Sequence, residues 1–402
     1  MVKRIIIIFL IIVLMIGGAI YISLDAKKED KIREDIRENE KSSLDSVYSY
    51  LKLELKDENI IYSPLSIRTA FSMLREGSKG ETKKELDKLF TGLNVKKYKN
   101  SDKLSFANSL FINNDHKDKI KDSYVKLLKT KYSSEIIYDD FNGPEVVNNW
   151  VKEKTLGLID KVLDELTPDQ KLVLVNALAI DISWMKEFDT TSTGGEDFTL
   201  LDGTNYLATT MHNTYSKYAS YYKGEDKTII SLDLEKEGNV NLEFIVIMPD
   251  DFNEYVNNLD NKTFKKDLSK LVKVSENKKL RLSIPKFKFD YSLKLKKDLH
   301  ELGLNKVFTP LAELDGIGKG LYVDDAIHKA TIDFSEKGIK AAAVTAITIK
   351  ANSSIDMSEY VDINIDKPFV FAIRDKKTSE IWFLGSVVKP NSWEEDKANY
   401  KI

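Results

Sequence analysis

The chain has 402 residues, 42% of them hydrophobic, no cysteine and a formal net charge of -3. This composition is typical of a globular protein with a large core, and the near-neutral charge gives no electrostatic reason to expect nucleic acid as a partner. The lack of cysteine excludes disulfide bonds, thiol nucleophiles and thiolate metal sites.

The amino terminus predicts a membrane anchor. Lys3 and Arg4 precede an uncharged run from Ile5 to Leu24, which is long enough to span a bilayer as one helix. A cleaved signal peptide is the alternative, because the small residues at 17–19 could form a cleavage site, although apolar residues continue beyond them. We therefore predict a transmembrane segment over residues 1–24, with its basic flank in the cytoplasm and the rest of the chain outside. The protein would be secreted if this segment were cleaved.

The remaining chain divides into three parts. Residues 25–42 are mostly charged, with both signs mixed, which predicts a solvated stalk. Residues 43–390 contain no repeat and no obvious linker, so we predict one large domain there. Residues 391–402 form a short C-terminal tail.

Several helices are predicted from capping residues and apolar spacing. Ser63 and Pro64 have the pattern of an N-cap and a first helical residue, and Thr82 with Glu85 has the pattern of a capping box. Residues 146–163 form an amphipathic pattern interrupted by Gly157, and residues 291–304 predict another helix.

The strand patterns come mainly later in the chain. Residues 171–180 are a continuous apolar run, residues 239–249 and 278–293 alternate, and residues 367–390 predict two strands joined by a turn. Helices that precede strands, instead of alternating with them, indicate an α+β fold.

No catalytic pattern is found. The four histidines lie in no known hydrolase, metal-binding or phosphate-binding motif, and the carboxylates show no pairing; the histidines are His116, His212, His300 and His328. We therefore predict that the chain is not an enzyme and requires no metal or cofactor.

The stretch "EKGIKAAAVTAITIKANSS" at 336–354 is ambiguous by local propensity. As a strand, its residues alternate between an uncharged set beginning at Ile339 and a set that carries Lys340 and Lys350. Small residues in its first half would let it enter between existing strands, and Gly338 would serve as a pivot. An ordinary core strand or helix is the alternative.

Residues 43–390 resemble the serpin family. The segments that carry the resemblance occur in the family's order; they are "NIIYSPLSI", "EGSKGETKKEL", "LVLVNALAIDISW", "IPKFKF", "LGLNKVF", "AELDGI", "DDAIHKATIDFSEKGIKAAA" and "DKPFVFAIRDKKTSEIWFLGSVVKP". The chain departs from the family at "AIDIS", at Met211-His212, and at Ile339 and Lys340, where Thr and Glu are usual.

The resemblance implies about nine helices around three β-sheets, with an exposed reactive-centre loop and its flanks at 336–366. It implies a suicide substrate that traps a serine protease as an acyl-enzyme, a covalent complex, when the cleaved loop enters the central sheet; the protein would act as a monomer. Inhibition of cysteine proteases, and a non-inhibitory binding or chaperone module, are the alternatives.

The resemblance also assigns residues to roles. The reactive bond is Asn352-Ser353 by family spacing, with Lys350-Ala351 as the alternative. The hinge, where the loop begins to insert, comprises Glu336, Gly338, Ile339, Ala341, Ala342 and Ala343. The shutter, a polar cluster beneath the point where the central strands part, comprises Ser63, Ser66, Asn176 and His328. Trp184 is assigned to the top of the sheet, where the loop enters.

Overall fold

A computed structural model of the chain describes residues 45–55, 57–90, 98–339 and 358–400. The helices of the described residues are α1 (45–53), α2 (Pro64–Gly77), α3 (Gly80–Phe90), α4 (Asp122–Leu127), α5 (Glu145–Lys154), α6 (Phe252–Asn258), α7 (Asn261–Leu268), α8 (Leu295–Glu301) and α9 (Trp393–Asp396). None of them is long and apolar enough to cross a membrane. Residues 1–24 lie outside the described ranges, so the anchor stays a prediction.

Most of the remaining structure is β-sheet. The strands of the described ranges are β1 (Ile60–Tyr62), β2 (Leu104–Asn113), β3 (Glu135–Asp139), β4 (Leu172–Ile180), β5 (Ile182–Ser183), β6 (Gly194–Thr199), β7 (Asn205–Tyr215), β8 (Ala219–Lys223), β9 (Lys227–Asp233), β10 (Leu242–Pro249), β11 (Val272–Lys273), β12 (Lys278–Pro285), β13 (Phe287–Lys294), β14 (Ile327–Ser335), β15 (Gly338–Ile339), β16 (Glu359–Asn364), β17 (Phe369–Asp375) and β18 (Ile381–Val387).

These strands form three sheets, one of which has two parts. One sheet has the order β1-β18-β17-β10-β9-β8-β11, and a second has the order β16-β12-β7-β6. The central sheet consists of β3-β2-β4 and β13-β14-β15-β5. Its two parts are joined because β5 continues the path of β4 after the single residue Asp181. Helices and three sheets in this arrangement confirm the predicted α+β architecture.

An aromatic cluster holds the central sheet against the seven-stranded sheet. The rings of Phe287 and Phe334, from β13 and β14, stack with centroids 4.6 Å apart. Phe244 of β10 lies 4.7 Å from Phe334, and Phe371 of β17 lies 5.6 Å from Phe244. All four side chains are buried, so together they fix the inner face of β14.

The predicted start of α2 is confirmed. The Ser63 side chain accepts a hydrogen bond from the Ser66 N–H at 3.1 Å, and Pro64 is the first helical residue. The capping box predicted next in the chain is wrong, because α3 begins at Gly80, before Thr82.

Two further boundaries differ from prediction. The helix predicted over 146–163 ends at Lys154, and Gly157 has a positive φ of 72°. The helix predicted from Tyr291 begins only at Leu295, because residues 291–294 pair with β14 as the end of β13. In both places tertiary pairing or an αL residue overrides the apolar spacing.

Candidate functional site

The hinge begins inside the central sheet. Gly338 pairs with Ser183 on one side and with Ser335 on the other. Ile339 pairs in the same way with Ile182 and with Phe334 of β14. β15 is therefore a strand of two described residues that β5 and β14 hold from both sides.

Gly338 is needed for space. A Cβ atom at this position would lie 2.7 Å from the Ser183 Cα and closer still to the Ile182 carbonyl oxygen. Gly338 is not among the glycines with positive φ. The close approach of β5 therefore gives a steric reason for this glycine, and its role as a pivot stays a prediction. Ile339 is buried, as predicted for the uncharged set of the alternating pattern.

Trp184 binds the turn that leads into the hinge. Its indole Nε1 donates to the Ser335 carbonyl oxygen at 2.9 Å, and its backbone N–H donates to the Lys337 carbonyl oxygen at 2.9 Å. Its ring lies 5.2 Å from that of Phe334 in an edge-to-face arrangement. This buried tryptophan thus fixes both ends of the turn between β14 and β15.

Glu336 is buried in that turn and has three side-chain partners. Its Oε1 accepts from Tyr400 Oη at 2.6 Å and from Thr193 Oγ1 at 3.0 Å. Its Oε2 lies 3.1 Å from Lys286 Nζ. Burial acts to raise the pKa of Glu336, but the Tyr400 hydrogen bond and the Lys286 charge lower it on balance. Glu336 is therefore held as a carboxylate.

A gap lies below β15, between β4 and β14; we call it the slot. Among the described residues, the next bridge between the two sides of the slot joins Val173 of β4 to Asp325, which lies two residues before β14. The separation in sequence is nine residues on both sides, from Ile182 to Val173 and from Phe334 to Asp325. The two strands are therefore in register with each other along the whole opening.

A cavity of about 270 Å³ lies in the upper part of the slot. Its walls include Ile180 of β4, Ile332 of β14 and the side chain of Ile339 above them. Asp333 lies on the same rim and forms an ion pair with Lys288 at 3.0 Å. The opening is thus apolar on the core side and charged on the outer side.

Three of the four predicted shutter residues lie together under the slot. The Ser63 N–H donates to His328 Nε2 at 2.9 Å, and Ser63 in turn caps Ser66. Burial lowers the pKa of His328 to about 3, so its imidazole is neutral, with Nε2 as the acceptor. Asn176 lies on β4, where its backbone pairs with Asn108; its side chain lies outside the described part.

The rest of the predicted site lies outside the described residues. This applies to the hinge alanines Ala341, Ala342 and Ala343 and to both candidate bonds, Asn352-Ser353 and Lys350-Ala351. Their roles stay predictions.

Three contacts of the hinge were missed from the sequence. Lys286 lies in the quoted segment "IPKFKF", so the resemblance pointed near it, but Thr193 and Tyr400 carry no local signal. Tyr400 belongs to the tail, in which two aromatic residues, Trp393 and Tyr400, stand among charged ones. Those aromatic residues are the one hint that the tail packs on the domain.

The fold and the site place the two-residue strand β15 in the central sheet, above a gap between β4 and β14. The chain belongs to the serpin family: a family model described as Serpin (serine protease inhibitor) matches residues 39–390. Serpins are in general protease inhibitors and not enzymes.

Relatives support this assignment along nearly the whole chain. An uncharacterized serpin-like protein of Methanosarcina acetivorans is 32% identical, covering 86% of this chain and 84% of that protein. Intracellular coagulation inhibitor 2 of Tachypleus tridentatus is 30% identical, covering 87% and 91%. The crystal structure of the thermophilic serpin tengpin in its native state has a TM-score of 0.74 at 28% identity, covering 87% of this chain and 93% of that one. Thyroxine-binding globulin in complex with thyroxine shares the fold, with a TM-score of 0.73 at 24% identity, covering 88% and 99%.

Proposed function

We propose that this serpin is a suicide-substrate inhibitor of serine proteases. The protease cleaves the loop and forms an acyl-enzyme, and the loop then enters the central sheet before the ester is hydrolysed. The observation that carries the proposal is β15: two residues of the hinge lie between β5 and β14, directly above the slot. In the proposed mechanism the residues after Ile339 would continue this pairing and so enter the slot between β4 and β14.

The slot specifies a register for the entering strand. If the entering strand continued the pairing set by Ile339, position 340 would be level with Asp181 and Asp333, and position 348 would be level with Val173 and Asp325. Eight residues, 340–347, would therefore fill the slot before the strands meet at their bridge. Each inserted residue would form backbone hydrogen bonds with the neighbouring strands. Each such hydrogen bond contributes about 0.5–1.5 kcal/mol net to stability.

The same register separates the side chains. Ala341 and Ala343 would face the core on the side of Ile339, where Ile180 and Ile332 line the slot, and their small size suits that face. Lys340 would point outward, level with Asp181 and Asp333. This lysine is a departure from the family's usual residue. Its positive charge would lie level with two negatively charged carboxylates.

Asn352-Ser353 is the proposed reactive bond, with Lys350-Ala351 as the alternative. Both bonds lie beyond position 348, so cleavage at either leaves enough chain to fill the slot. The mass of the C-terminal fragment separates the two bonds, because the products begin at Ser353 or at Ala351.

A matched pair of variants tests the mechanism. Ala343→Lys would place a charge on the core face and should convert the inhibitor into a substrate, whereas Ala342→Lys would point outward and should still form complexes. The proteins are incubated with a panel of serine and cysteine proteases, and detergent-stable complexes are counted on gels. Stable complexes of Ala343→Lys at the wild-type yield would refute the mechanism.

The panel also separates the alternatives. Complexes with cysteine proteases alone would reassign the target class. Cleavage of wild type without any complex, together with no rise in melting temperature after cleavage, would indicate a non-inhibitory binding or chaperone module. A large rise in melting temperature after cleavage is the expected result, since the cut loop adds a strand.

We also propose that the domain is tethered outside the cytoplasm through residues 1–24, as a monomer. The support is the uncharged run behind Lys3 and Arg4. The test is membrane fractionation of the full chain, followed by protease accessibility of the domain in intact cells and by sequencing of the mature N-terminus. A soluble protein that begins near residue 20 would establish cleavage and secretion.

A further inference from the structure

The segment after Pro390 returns to the domain through backbone bonds. The Asn391 carbonyl accepts from Thr209 N at 3.0 Å, and the Asn391 N–H donates to the Lys286 carbonyl at 2.9 Å. Ser392 forms an isolated bridge with Ala208 of β7. The family model matches up to residue 390, so the described part of the tail, residues 391–400, lies beyond the matched range.

Trp393 anchors the tail to β6. A Cβ atom at Gly195 would lie 2.7 Å from the Trp393 Cγ, so the indole packs directly on that glycine. A Cβ atom at the neighbouring Gly194 would meet nothing within 4 Å. The Trp393 ring also lies 5.5 Å from the Tyr400 ring. The indole therefore supports the aromatic residue that ends the described tail.

Tyr400 connects the tail to the hinge turn. Its hydroxyl donates to Glu336 Oε1 at 2.6 Å and accepts from Lys286 Nζ at 2.6 Å. Lys286 Nζ also lies 5.2 Å from the centre of the Tyr400 ring. The hydroxyl completes a three-member network with a carboxylate that is itself buried.

We propose that the tail is an intramolecular latch and that Tyr400 is a positioning residue, which acts through Glu336 to hold the turn between β14 and β15. This proposal deepens the proposed inhibitory function. The Glu336 carbonyl accepts from Phe188 N at 2.8 Å, and the adjacent Lys337 carbonyl accepts from Trp184 N. A carboxylate held by the tail therefore fixes the backbone that keeps Gly338 and Ile339 between β5 and β14.

The direction of the effect follows from this geometry. Loss of the latch frees the turn, so β15 spends more time outside the sheet. Insertion of a cut loop then starts later, and more acyl-enzyme is hydrolysed before it is trapped. The latch does not contact either candidate for the reactive bond in the proposed mechanism, so the rate of loop cleavage should stay unchanged.

Two matched pairs of full-chain variants test the latch. Tyr400→Phe removes only the hydroxyl, and its control Tyr218→Phe removes an exposed one. Gly195→Ala displaces Trp393, and its control Gly194→Ala enters open space. Hydrogen exchange of the Phe188 and Trp184 amides, measured without protease, should be about tenfold faster in Tyr400→Phe and Gly195→Ala, as for loss of one hydrogen bond to a carboxylate. Both controls should match wild type.

The protease assay supplies the second readout. Tyr400→Phe should consume several times more inhibitor for each complex formed, at an unchanged rate of loop cleavage. Wild-type exchange of both amides in Tyr400→Phe and Gly195→Ala would overturn the latch, whatever the protease assay gives. Faster exchange in a protein that forms no complex even as wild type would leave the latch standing and refute the inhibitory function.

Discussion

Gly338→Ala tests whether the start of the hinge must lie in the sheet. The new Cβ would lie 2.7 Å from the Ser183 Cα, and β5 is itself held because the Ser183 carbonyl accepts from Glu235 N at 2.9 Å. Because the clash is with backbone, β15 must move away from β5. Overpacking of this kind costs about 1–3 kcal/mol. That range shifts the equilibrium between paired and unpaired β15 by roughly 5-fold to 150-fold.

The assay compares Gly338→Ala with Gly194→Ala, whose Cβ meets nothing within 4 Å. Exchange of the Trp184 amide, which donates to the Lys337 carbonyl, should accelerate by the same factor in Gly338→Ala alone. The number of inhibitor molecules consumed per protease–inhibitor complex should rise with it. Wild-type exchange and wild-type consumption in Gly338→Ala would refute the idea that paired β15 is the starting point of insertion.

Three further predictions concern buried charge. The neutral state of His328 favours the fold, so the free energy of unfolding should fall by about 1.4 kcal/mol per pH unit as the pH drops below 6.5 towards 3; His328→Gln, which keeps an acceptor for the Ser63 N–H, should lose this component in denaturant titrations. Burial raises the pKa of Asp298 to about 6, so its ionisation costs stability as the pH rises from about 4 to 6. Asp298→Asn should therefore be more stable than wild type by about 1–3 kcal/mol at pH 7 and equal to it below pH 4; equal stability at pH 7 would contradict this. Glu380→Ala would leave the largely buried Arg68 without the carboxylate 3.0 Å away and should cost about 3 kcal/mol in thermal unfolding, whereas a change below about 0.5 kcal/mol would show the pair to be unimportant.

Sequence patterns predicted the parts of the fold that depend on local chemistry. The N-cap at Ser63 and the buried strand at 172–180 follow from capping and from a continuous apolar run. The pattern from Ile339 onward correctly placed Ile339 on a buried face, because the alternation of a strand is a local property.

Patterns failed where distant residues compete for the same groups. Thr82 does not cap a helix: its hydroxyl accepts from Glu313 N at 3.0 Å, and the Glu85 carboxylate accepts from Asn305 N and Lys306 N at 2.8 Å each. Both side chains therefore satisfy backbone donors far away in sequence, although their spacing matches a capping box.

The contacts of the site also divide into those that the sequence indicated and those that it did not. That Ser63 and His328 meet was implied by the family resemblance alone, because nothing local joins residues so far apart in the chain. The bond from Tyr400 to Glu336 was not predicted, since it lies in the added tail and joins residues 64 apart. The sequence therefore indicates the elements and the family, whereas the network around the hinge depends on contacts between residues far apart in the chain.

The position of β15 implies that two steps of the proposed inhibition, loop insertion and protease recognition, depend on separate stretches of chain. In the proposed mechanism the entering strand would begin at Gly338 and Ile339, which are already paired in the sheet, whereas recognition by a protease would rest on positions 350–353. Timing and target choice are then independently adjustable. Exchanging the residues around the reactive bond should redirect the inhibitor to another protease without changing the rate of loop insertion.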